Sequence, residues 1–198
     1  MATDNITAII LAGGQARRMG GQDKGLIQLA QKPMIEYVLN AIEPQVGTII
    51  INANRNQAIY EKYGFPVVAD QIEGYCGPLA GMASGLQISE TPFVVTAPCD
   101  SPLIPDNLVH KLYSTLQQEN ADICTAYANE RLQPVFTLMK TKLLSSMLDF
   151  LNNGERKIDR WFEKHHLAIA DFSDQAETFI NINSEEELVA IELKLKQE

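Results

Sequence analysis

Short apolar runs alternate with amphipathic stretches along the chain, and seven of the runs have the length and the β-branched content of strands. The predicted strands are Thr7–Leu11, Thr48–Asn52, Val67–Ala69, Phe93–Ala97, Ile123–Tyr127, Pro134–Leu138 and Leu167–Asp171. Most of them are apolar throughout, which is typical of parallel strands that are buried on both faces. The alternation predicts an α/β fold in which helices flank a mostly parallel central sheet.

Prolines and small polar residues mark the predicted boundaries of helices and turns. Pro33 and Pro105 are each expected in the first turn of a helix, where the missing N–H has no intrahelical partner to lose. Ser184 and Glu187 have the spacing of a capping box and predict the start of a last helix. The polar segment Ala128–Gln133 is predicted to be an exposed turn.

Length, charge and cysteine content limit the class of protein. The 198 residues suit one domain, and the net charge of −9 argues against a nucleic-acid partner or an anionic membrane surface. No apolar run approaches the ~18 residues of a membrane span. The first residues carry no basic or long apolar segment, so we expect no signal peptide and a cytoplasmic protein. Cys76, Cys99 and Cys124 are widely spaced and are expected to be reduced thiols.

The segment after the first predicted strand, residues 11–25, is rich in glycine and basic residues. Ligands of parallel sheets bind beyond the carboxyl ends of strands, and this segment leaves such an end. Gly13 and Gly14 are expected to let the backbone approach a ligand in conformations closed to other residues. Their N–H groups, with Arg18 and Lys24, predict a phosphate site. The alternative is a glycine-rich turn with solvated arginines.

Two common nucleotide-binding motifs are absent from that segment. It contains neither G-x-G-x-x-G nor G-x-x-x-x-G-K-[ST], which argues against a dinucleotide oxidoreductase and a Walker-type NTPase.

Carboxylates and an amide follow other predicted strands at the same edge of the sheet. Asp100 suits Mg²⁺, which binds one or two carboxylates together with phosphates and waters; a turn or a helix cap is the alternative. Asp70 could bind a metal through water or accept hydrogen bonds from a nucleotide. Asn52 offers a donor and an acceptor, as guanine recognition requires, or forms an Asx turn. The small residues of Gly77–Gly81 allow backbone to close over a base or a helix to pack closely on the sheet.

The run Leu-Ala-Gly-Gly-x-x-x-Arg-Met-Gly-x-x-x-Lys over residues 11–24 resembles the signature of nucleotidyltransferases, and in detail that of the molybdenum cofactor guanylyltransferase (MobA) family. Further matching positions follow in order along nearly the whole chain: Asn52, Asp70, 74–81, 98–102, 154–157 and 179–184. The resemblance implies a three-layer, Rossmann-like nucleotidyltransferase fold. It implies one domain over residues 1–198, with a nucleotide-binding N-terminal half and a molybdopterin-binding C-terminal half.

The resemblance also implies a reaction and its residues. GMP would pass from GTP to the terminal phosphate of (molybdenum-)molybdopterin, releasing pyrophosphate and forming the guanine dinucleotide form of the cofactor. The implied catalytic residues are Lys24, Arg18 and Asp100, with Asp100 holding Mg²⁺ or its substitute Mn²⁺. The implied GTP-binding residues are Leu11, Ala12, Gly13, Gly14, Lys24, Asn52, Asp70, Gly77, Pro78, Leu79 and Asp100. The implied molybdopterin-binding residues are Arg156, Lys157, Asn181 and Asn183.

Related activities remain as alternatives. A molybdopterin cytidylyltransferase, or another NTP:phosphate nucleotidyltransferase of the same fold, would share most of these residues. Cytidylyl relatives commonly have Ala where this chain has Gly13, which favours guanine. A noncatalytic GTP- or pterin-binding adaptor would not need both Lys24 and Asp100. We further expect a monomer that makes transient contacts with other molybdenum cofactor biosynthesis proteins and with acceptor molybdoenzymes.

Overall fold

A mixed sheet of seven strands lies at the centre of the residues that the computed structural model describes, which are 3–14, 22–72 and 77–195. The described strands are β1 (Ile6–Leu11), β2 (Gln28–Leu29), β3 (Lys32–Pro33), β4 (Thr48–Asn52), β5 (Val67–Val68), β6 (Phe93–Pro98), β7 (Ile123–Ala128), β8 (Arg131–Lys140) and β9 (Leu167–Asp171). The sheet has the order β5-β4-β1-β6-β8-β7-β9, and β2 pairs only with β3. Among these seven strands β8 alone runs antiparallel to its neighbours, so the prediction of a mostly parallel sheet is confirmed.

Helices cover both faces of this sheet, which gives three layers. The described α-helices are α1 (Met34–Ile42), α2 (Gln57–Tyr60), α3 (Pro78–Ile88), α4 (Leu108–Gln118), α5 (Leu144–Asn152), α6 (Ile158–Phe162) and α7 (Glu185–Leu195). Alternate side chains of β1 point to opposite faces of the sheet and so belong to different cores. Ile6, Ala8 and Ile10 belong to the core that contains α1 and α4, whereas Ile9 belongs to the core that contains α3, α5 and α6.

A third apolar cluster fastens the C-terminal region to the segment around β2. Leu29 and Met34 pack with Ile182 and Ile191 of the C-terminal region. The backbone N–H of Ala30, in the turn between β2 and β3, donates to Glu192 of α7 at 2.8 Å. The predicted capping box is present before α7, since the Ser184 N–H donates to Glu187 and the Glu187 N–H donates to the Ser184 hydroxyl.

Two helix starts differ from their predictions. Pro33 is the residue before α1, which begins at Met34, one residue later than expected. Pro105 lies three residues ahead of α4, which begins at Leu108 after Asn107. Pro105 instead forms a preceding turn, in which its carbonyl accepts hydrogen bonds from the Leu108 N–H and the Gln45 side chain.

The prediction of an exposed turn over Ala128–Gln133 is wrong in extent. Strands β7 and β8 continue toward each other and pair as far as Ala128 with Arg131, which leaves a two-residue turn. Asn129 and Glu130 have φ values of 52° and 57°, the left-handed pair that a tight hairpin needs because it matches the twist of the strands.

The described cysteines agree with the prediction of reduced thiols. Cys99 and Cys124 are buried and unpaired, and Cys76 lies outside the described residues. Across residues 3–14, 22–72 and 77–195, no helix is long and apolar enough to cross a membrane.

Candidate active site

The strand order creates a cleft at the carboxyl edge of the sheet. From β1 the chain crosses to β4 and β5 on one side, and then β6 lies on the other side of β1. Such a reversal of direction leaves a crevice where ligands of open α/β sheets bind. The cleft here has a volume of about 450 Å³. Its lining residues are Leu11, Ala12, Gly13, Gly14, Lys24, Asn52, Asp70, Gly77, Pro78, Pro98, Cys99, Asp100, Val135 and Asn181.

Lys24 joins three distant parts of the chain in this cleft. Its ammonium forms an ion pair with Asp100 just after β6, with Nζ 2.8 Å from Oδ2. The same ammonium donates a 2.5 Å hydrogen bond to Oδ1 of Asn183. A lysine carries three donor hydrogens and no acceptor, so it can bind these two oxygens and still offer a hydrogen to a third anionic oxygen. The arrangement is suited to binding a phosphate next to Asp100.

Asp100 has the surroundings of a carboxylate that binds a metal together with a substrate. Its residue is only 8% exposed, and the exposed part borders the cleft. Among the described residues, no group of three or more His, Cys, Asp or Glu side chains could hold a metal ion. A cation bound at Asp100 would therefore take most of its ligands from phosphates and water, which is the usual environment of Mg²⁺. The residues present fit such a cation.

Asp70 organises the ends of β4 and β5. Its two carboxylate oxygens accept hydrogen bonds from the amides of Asn52 at 2.9 Å and Asn54 at 2.8 Å, and its N–H donates to Asn54 Oδ1. Asn52 also donates to the Val68 carbonyl at 3.2 Å. Both amide hydrogens of Asn52 are thus bound within the protein, and only its Oδ1 could accept a bond from a base. Sequence reasoning missed Asn54, although its position two residues after Asn52 was a usable signal.

The glycines of the cleft are required for different reasons. Gly13 and Gly14 do not have positive φ, so the expectation of conformations closed to other residues is wrong for them. Gly13 is needed for space, because a Cβ there would lie 2.8 Å from Nδ2 of Asn54. A Cβ on Gly81 would overlap Oδ1 of Asn52, so Gly81 lets that amide sit against α3. Gly77 has φ +70° and is required by its backbone conformation.

A buried hydrogen-bond network, which sequence reasoning missed, holds the turn that carries Lys24. The Tyr60 hydroxyl donates to Oδ1 of Asp23 at 2.5 Å, and the Asn56 amide donates to Oδ2 at 3.0 Å. Tyr60 is fully buried, and this burial, with Cys99 and Asp23 nearby, raises the pKa of its hydroxyl, which stays a donor. The Asp23 carbonyl accepts the Leu26 N–H at 3.0 Å, so the network fixes the turn that carries Lys24.

Residues predicted to bind molybdopterin occupy two separate places. Asn181 lines the cleft and its Oδ1 accepts the Ser101 hydroxyl at 3.0 Å, while Asn183 binds Lys24. Arg156 does not line the cleft, and its Nη1 donates to the carbonyls of Leu151 and Glu155 at 2.7 and 2.6 Å. It thus satisfies the C-terminal end of α5. Exposed Lys157 precedes α6.

Arg18 lies outside the described residues. Leu79 is fully buried in the core beside α5 and α6, rather than among the cleft-lining residues. The catalytic, GTP-binding, molybdopterin-binding and metal-binding roles of all the predicted site residues stay predictions.

Comparisons with known proteins point to one family. A family model described as the MobA-like NTP transferase domain matches residues 8–169. A molybdenum cofactor guanylyltransferase of Shewanella sediminis is 50% identical over 182 residues, which cover 92% of this chain and 93% of that protein. The protein of the same name from Shewanella halifaxensis is 49% identical over 185 residues, covering 93% and 92% of the two chains.

Solved structures share the fold at much lower identity. Molybdopterin-guanine dinucleotide biosynthesis protein A from Archaeoglobus fulgidus matches with a TM-score of 0.81 and 22% identity, over 98% of this chain and 100% of that one. The 4-diphosphocytidyl-2C-methyl-D-erythritolsynthase of Anaerococcus prevotii matches with a TM-score of 0.73 and 15% identity, over 98% and 99% of the two chains. At these identities the likeness concerns the fold alone.

Replacing Tyr60 by Phe tests the network behind Lys24. Loss of the hydroxyl removes a hydrogen bond to the buried Asp23 carboxylate, and such bonds contribute about 1.5–3 kcal/mol. We expect the free energy of unfolding, measured by urea denaturation, to fall by about that amount. Tyr63→Phe is the matched control, because the Tyr63 hydroxyl makes a longer bond, 3.3 Å, to a carboxylate oxygen of Glu36. Equal losses in the two variants would contradict a special role for Asp23.

Cys99 borders the cleft, yet we expect it to be chemically inert in the native protein. Burial, reinforced by the nearby Asp100 and Asp23 carboxylates, raises the pKa of its thiol well above the usual value. Burial likewise raises the pKa of Cys124 to about 12. Because the thiolate is the reactive form, iodoacetamide at pH 8 should label neither cysteine until guanidinium unfolds the chain. Peptide mapping by mass spectrometry measures each site, and rapid native labelling of Cys99 would refute the expectation.

Proposed function

The chain belongs to the MobA-like NTP transferase family, and we propose that it transfers GMP from GTP to molybdopterin, forming the guanine dinucleotide form of the cofactor. One observation carries the proposal from the structure: the cleft brings the Gly13–Gly14 backbone, Lys24 and Asp100 together at the carboxyl edge of the sheet. The names of relatives about 50% identical over nine-tenths of the chain support the choice of GTP and molybdopterin.

The proposed reaction is a substitution at the α-phosphorus of GTP. An oxygen of the terminal phosphate of molybdopterin forms a new P–O bond there, and the bond between the α-phosphorus and the bridging oxygen breaks. The electron pair leaves with that oxygen on pyrophosphate. The attacking phosphate arrives ionised, so the step needs no general base, and positioning and neutralisation of charge provide most of the catalysis.

Lys24 supplies positive charge where the phosphates meet. In the structure its ammonium contacts both Asp100 and Asn183, and it is only partly exposed. A triphosphate oxygen can accept the third hydrogen of this ammonium while Asp100 and Asn183 stay bound. Lys24 would then orient the triphosphate and stabilise the charge that develops on the leaving pyrophosphate. The buried Tyr60–Asp23 pair keeps the lysine's backbone in place.

A divalent cation, Mg²⁺ in our proposal, would be held by Asp100 together with substrate phosphates. When bound, such an ion acts as a Lewis acid and neutralises phosphate charge. Asp100 is a suitable ligand because its position after β6 is fixed. Its carboxylate forms the ion pair with Lys24, and its backbone carbonyl accepts the Ile182 N–H at 2.9 Å. Mn²⁺ has the same preference for oxygen ligands and is proposed as a substitute.

The two halves of the chain contribute to the two substrates. We assign the nucleotide to the N-terminal segments that follow β1, β4 and β5, and the pterin to the C-terminal side of the cleft at Asn181 and Asn183. Asn183 contacts Lys24. The amide that would bind the acceptor therefore lies next to the ammonium that would bind the triphosphate. Arg156 and Lys157 remain candidates for the acceptor's phosphate, because the two carbonyl contacts of Arg156 use only Nη1 and a guanidinium has five N–H donors.

A panel of nucleotides tests the proposed reaction and separates it from its alternatives. Purified protein with molybdopterin and Mg²⁺ should release pyrophosphate with GTP and form the guanine dinucleotide, detected by chromatography. CTP, ATP and UTP should be used at least about 100-fold less efficiently, because a site that binds a base edge leaves polar groups unpaired with the wrong base. Preference for CTP would establish a cytidylyltransferase. GTP binding without turnover would indicate a noncatalytic adaptor.

Replacing Asp100 by Asn tests the proposed metal ligand. We expect guanylyl transfer to fall by about 100-fold or more, because the variant loses a charged ligand at the position where phosphate charge must be neutralised. Raising the Mg²⁺ concentration should restore only part of the rate. Asp122→Asn is the matched control, since Asp122 pairs with Lys140 and Lys142 and does not line the cleft. Unchanged turnover in Asp100→Asn would remove Asp100 from the catalytic machinery.

A further inference from the structure

Strand β8 departs from regular pairing beside the cleft. Thr125 of β7 is paired with Thr137, but the next residue, Ala126, is paired with Gln133, so residues 134–136 form a bulge. Bulges of this kind bend a strand and redirect side chains, often next to active sites. In this one, half-buried Val135 reaches the lining of the cleft.

Buried threonines hold the bulge in a defined shape. Carbonyls that lose their partners in the sheet need other donors, and hydroxyl groups of β6, β7 and β8 itself supply them. The three bonds run from Thr96 to the Val135 carbonyl at 2.8 Å, from Thr137 to Pro134 at 2.9 Å and from Thr125 to Gln133 at 3.2 Å. All three threonines are fully buried. The position of Val135 is therefore fixed by the fold.

The bulge is also fastened to the C-terminal side of the cleft. Phe136 packs edge-to-face against Phe179, with ring centroids 4.9 Å apart. Two residues beyond Phe179, Asn181 lines the cleft. Val135 and Asn181 both line the cleft, and the Phe136–Phe179 contact links the two segments that form this part of its wall. The side chain of Val135 also packs against the core that contains α3, α5 and α6.

The strand order supports the assignment of this part of the wall to one of the two proposed substrates. Asn52 and Asp70 lie at the ends of β4 and β5, Gly13 follows β1, and Asp100 follows β6. Val135 lies in β8, beyond β6 as seen from β1, and two strand spacings place it about 10 Å from the β1 end. A nucleotide whose base lies toward β4 and whose phosphates lie between β1 and β6 leaves this far part of the cleft to the acceptor.

We propose that Val135, presented by the β8 bulge, is a specificity-determining residue whose side chain packs against the ring system of the acceptor. The inference rests on the proposed function for the identity of that acceptor, molybdopterin. A flat heterocycle with polar edges needs an apolar surface for its face and amide groups for its rim. Val135 provides the first of these and Asn181 the second.

Substitutions of Val135 in the full-length protein test this proposal. Val135→Ala removes two methyl groups from the wall and should raise the KM for molybdopterin by about 10-fold, the effect of a small apolar deletion in a binding site. Val135→Trp should raise it further by filling the space. In both variants the Kd for GTP, measured by calorimetry, should stay within about twofold of the wild type. Val189→Ala and Val189→Trp are the matched controls, because Val189 is an exposed valine of α7.

The outcomes separate this inference from the proposed function. If the wild type transfers GMP and both Val135 variants keep the wild-type KM for molybdopterin, the inference fails and the proposed function stands. A larger change in GTP affinity than in acceptor KM would also overturn it, because Val135 would then border the nucleotide. If the wild type transfers no GMP, the proposed function fails. Calorimetry then measures molybdopterin binding directly, and equal affinities for wild type and Val135→Trp would overturn the inference as well.

Discussion

The ion pair between Lys24 and Asp100 is the interaction on which the cleft depends. Both groups are largely withdrawn from water, with side chains 20% and 11% exposed, and a carboxylate in such a place requires a compensating charge. Lys24 provides it from a turn that α2 supports, and Asp100 receives it at the end of β6. The reaction we propose uses the same two charges, one for phosphate oxygens and one for a cation. The fold must therefore keep these two charges close together, both to balance charge within the protein and to bind an anionic substrate.

Most of the fold follows from local patterns, because strands buried on both faces are continuous apolar runs. All seven strands of the main sheet are predicted from the sequence, and β4 and β9 have the predicted bounds. The extent of the hairpin turn is not predicted. Polar residues such as Arg131 continue β8, because that segment pairs with β7. The start of α4 is misplaced because Pro105 suits a preceding turn as well as a first helical turn. Both errors concern contacts with another segment, which spacing along the chain does not encode.

The site is predictable to the extent that its residues follow strands. Sequence analysis places Asp70 and Asp100 at one sheet edge, and the structure does so. It could not identify Tyr60 as the partner of Asp23, because 37 residues separate them and neither is unusual in its own segment. Nor could it foresee that Asn52 donates its amide hydrogens to Asp70 and Val68. The bulge that presents Val135 could not be predicted either, since a bulge is defined by the register of two strands.

The contact of Lys24 with Asn183 has a consequence for the synthesis of the chain. The two residues are 159 positions apart, so at about 5–20 residues per second the ribosome needs roughly 8–30 s to deliver the second after the first. Asp100 emerges 76 positions after the lysine and can act as its counter-ion during part of that interval. Lys24 and Asp100 are therefore both synthesised well before the segment that carries Asn183. The contact of Lys24 with Asn183 can form only when translation has passed β9.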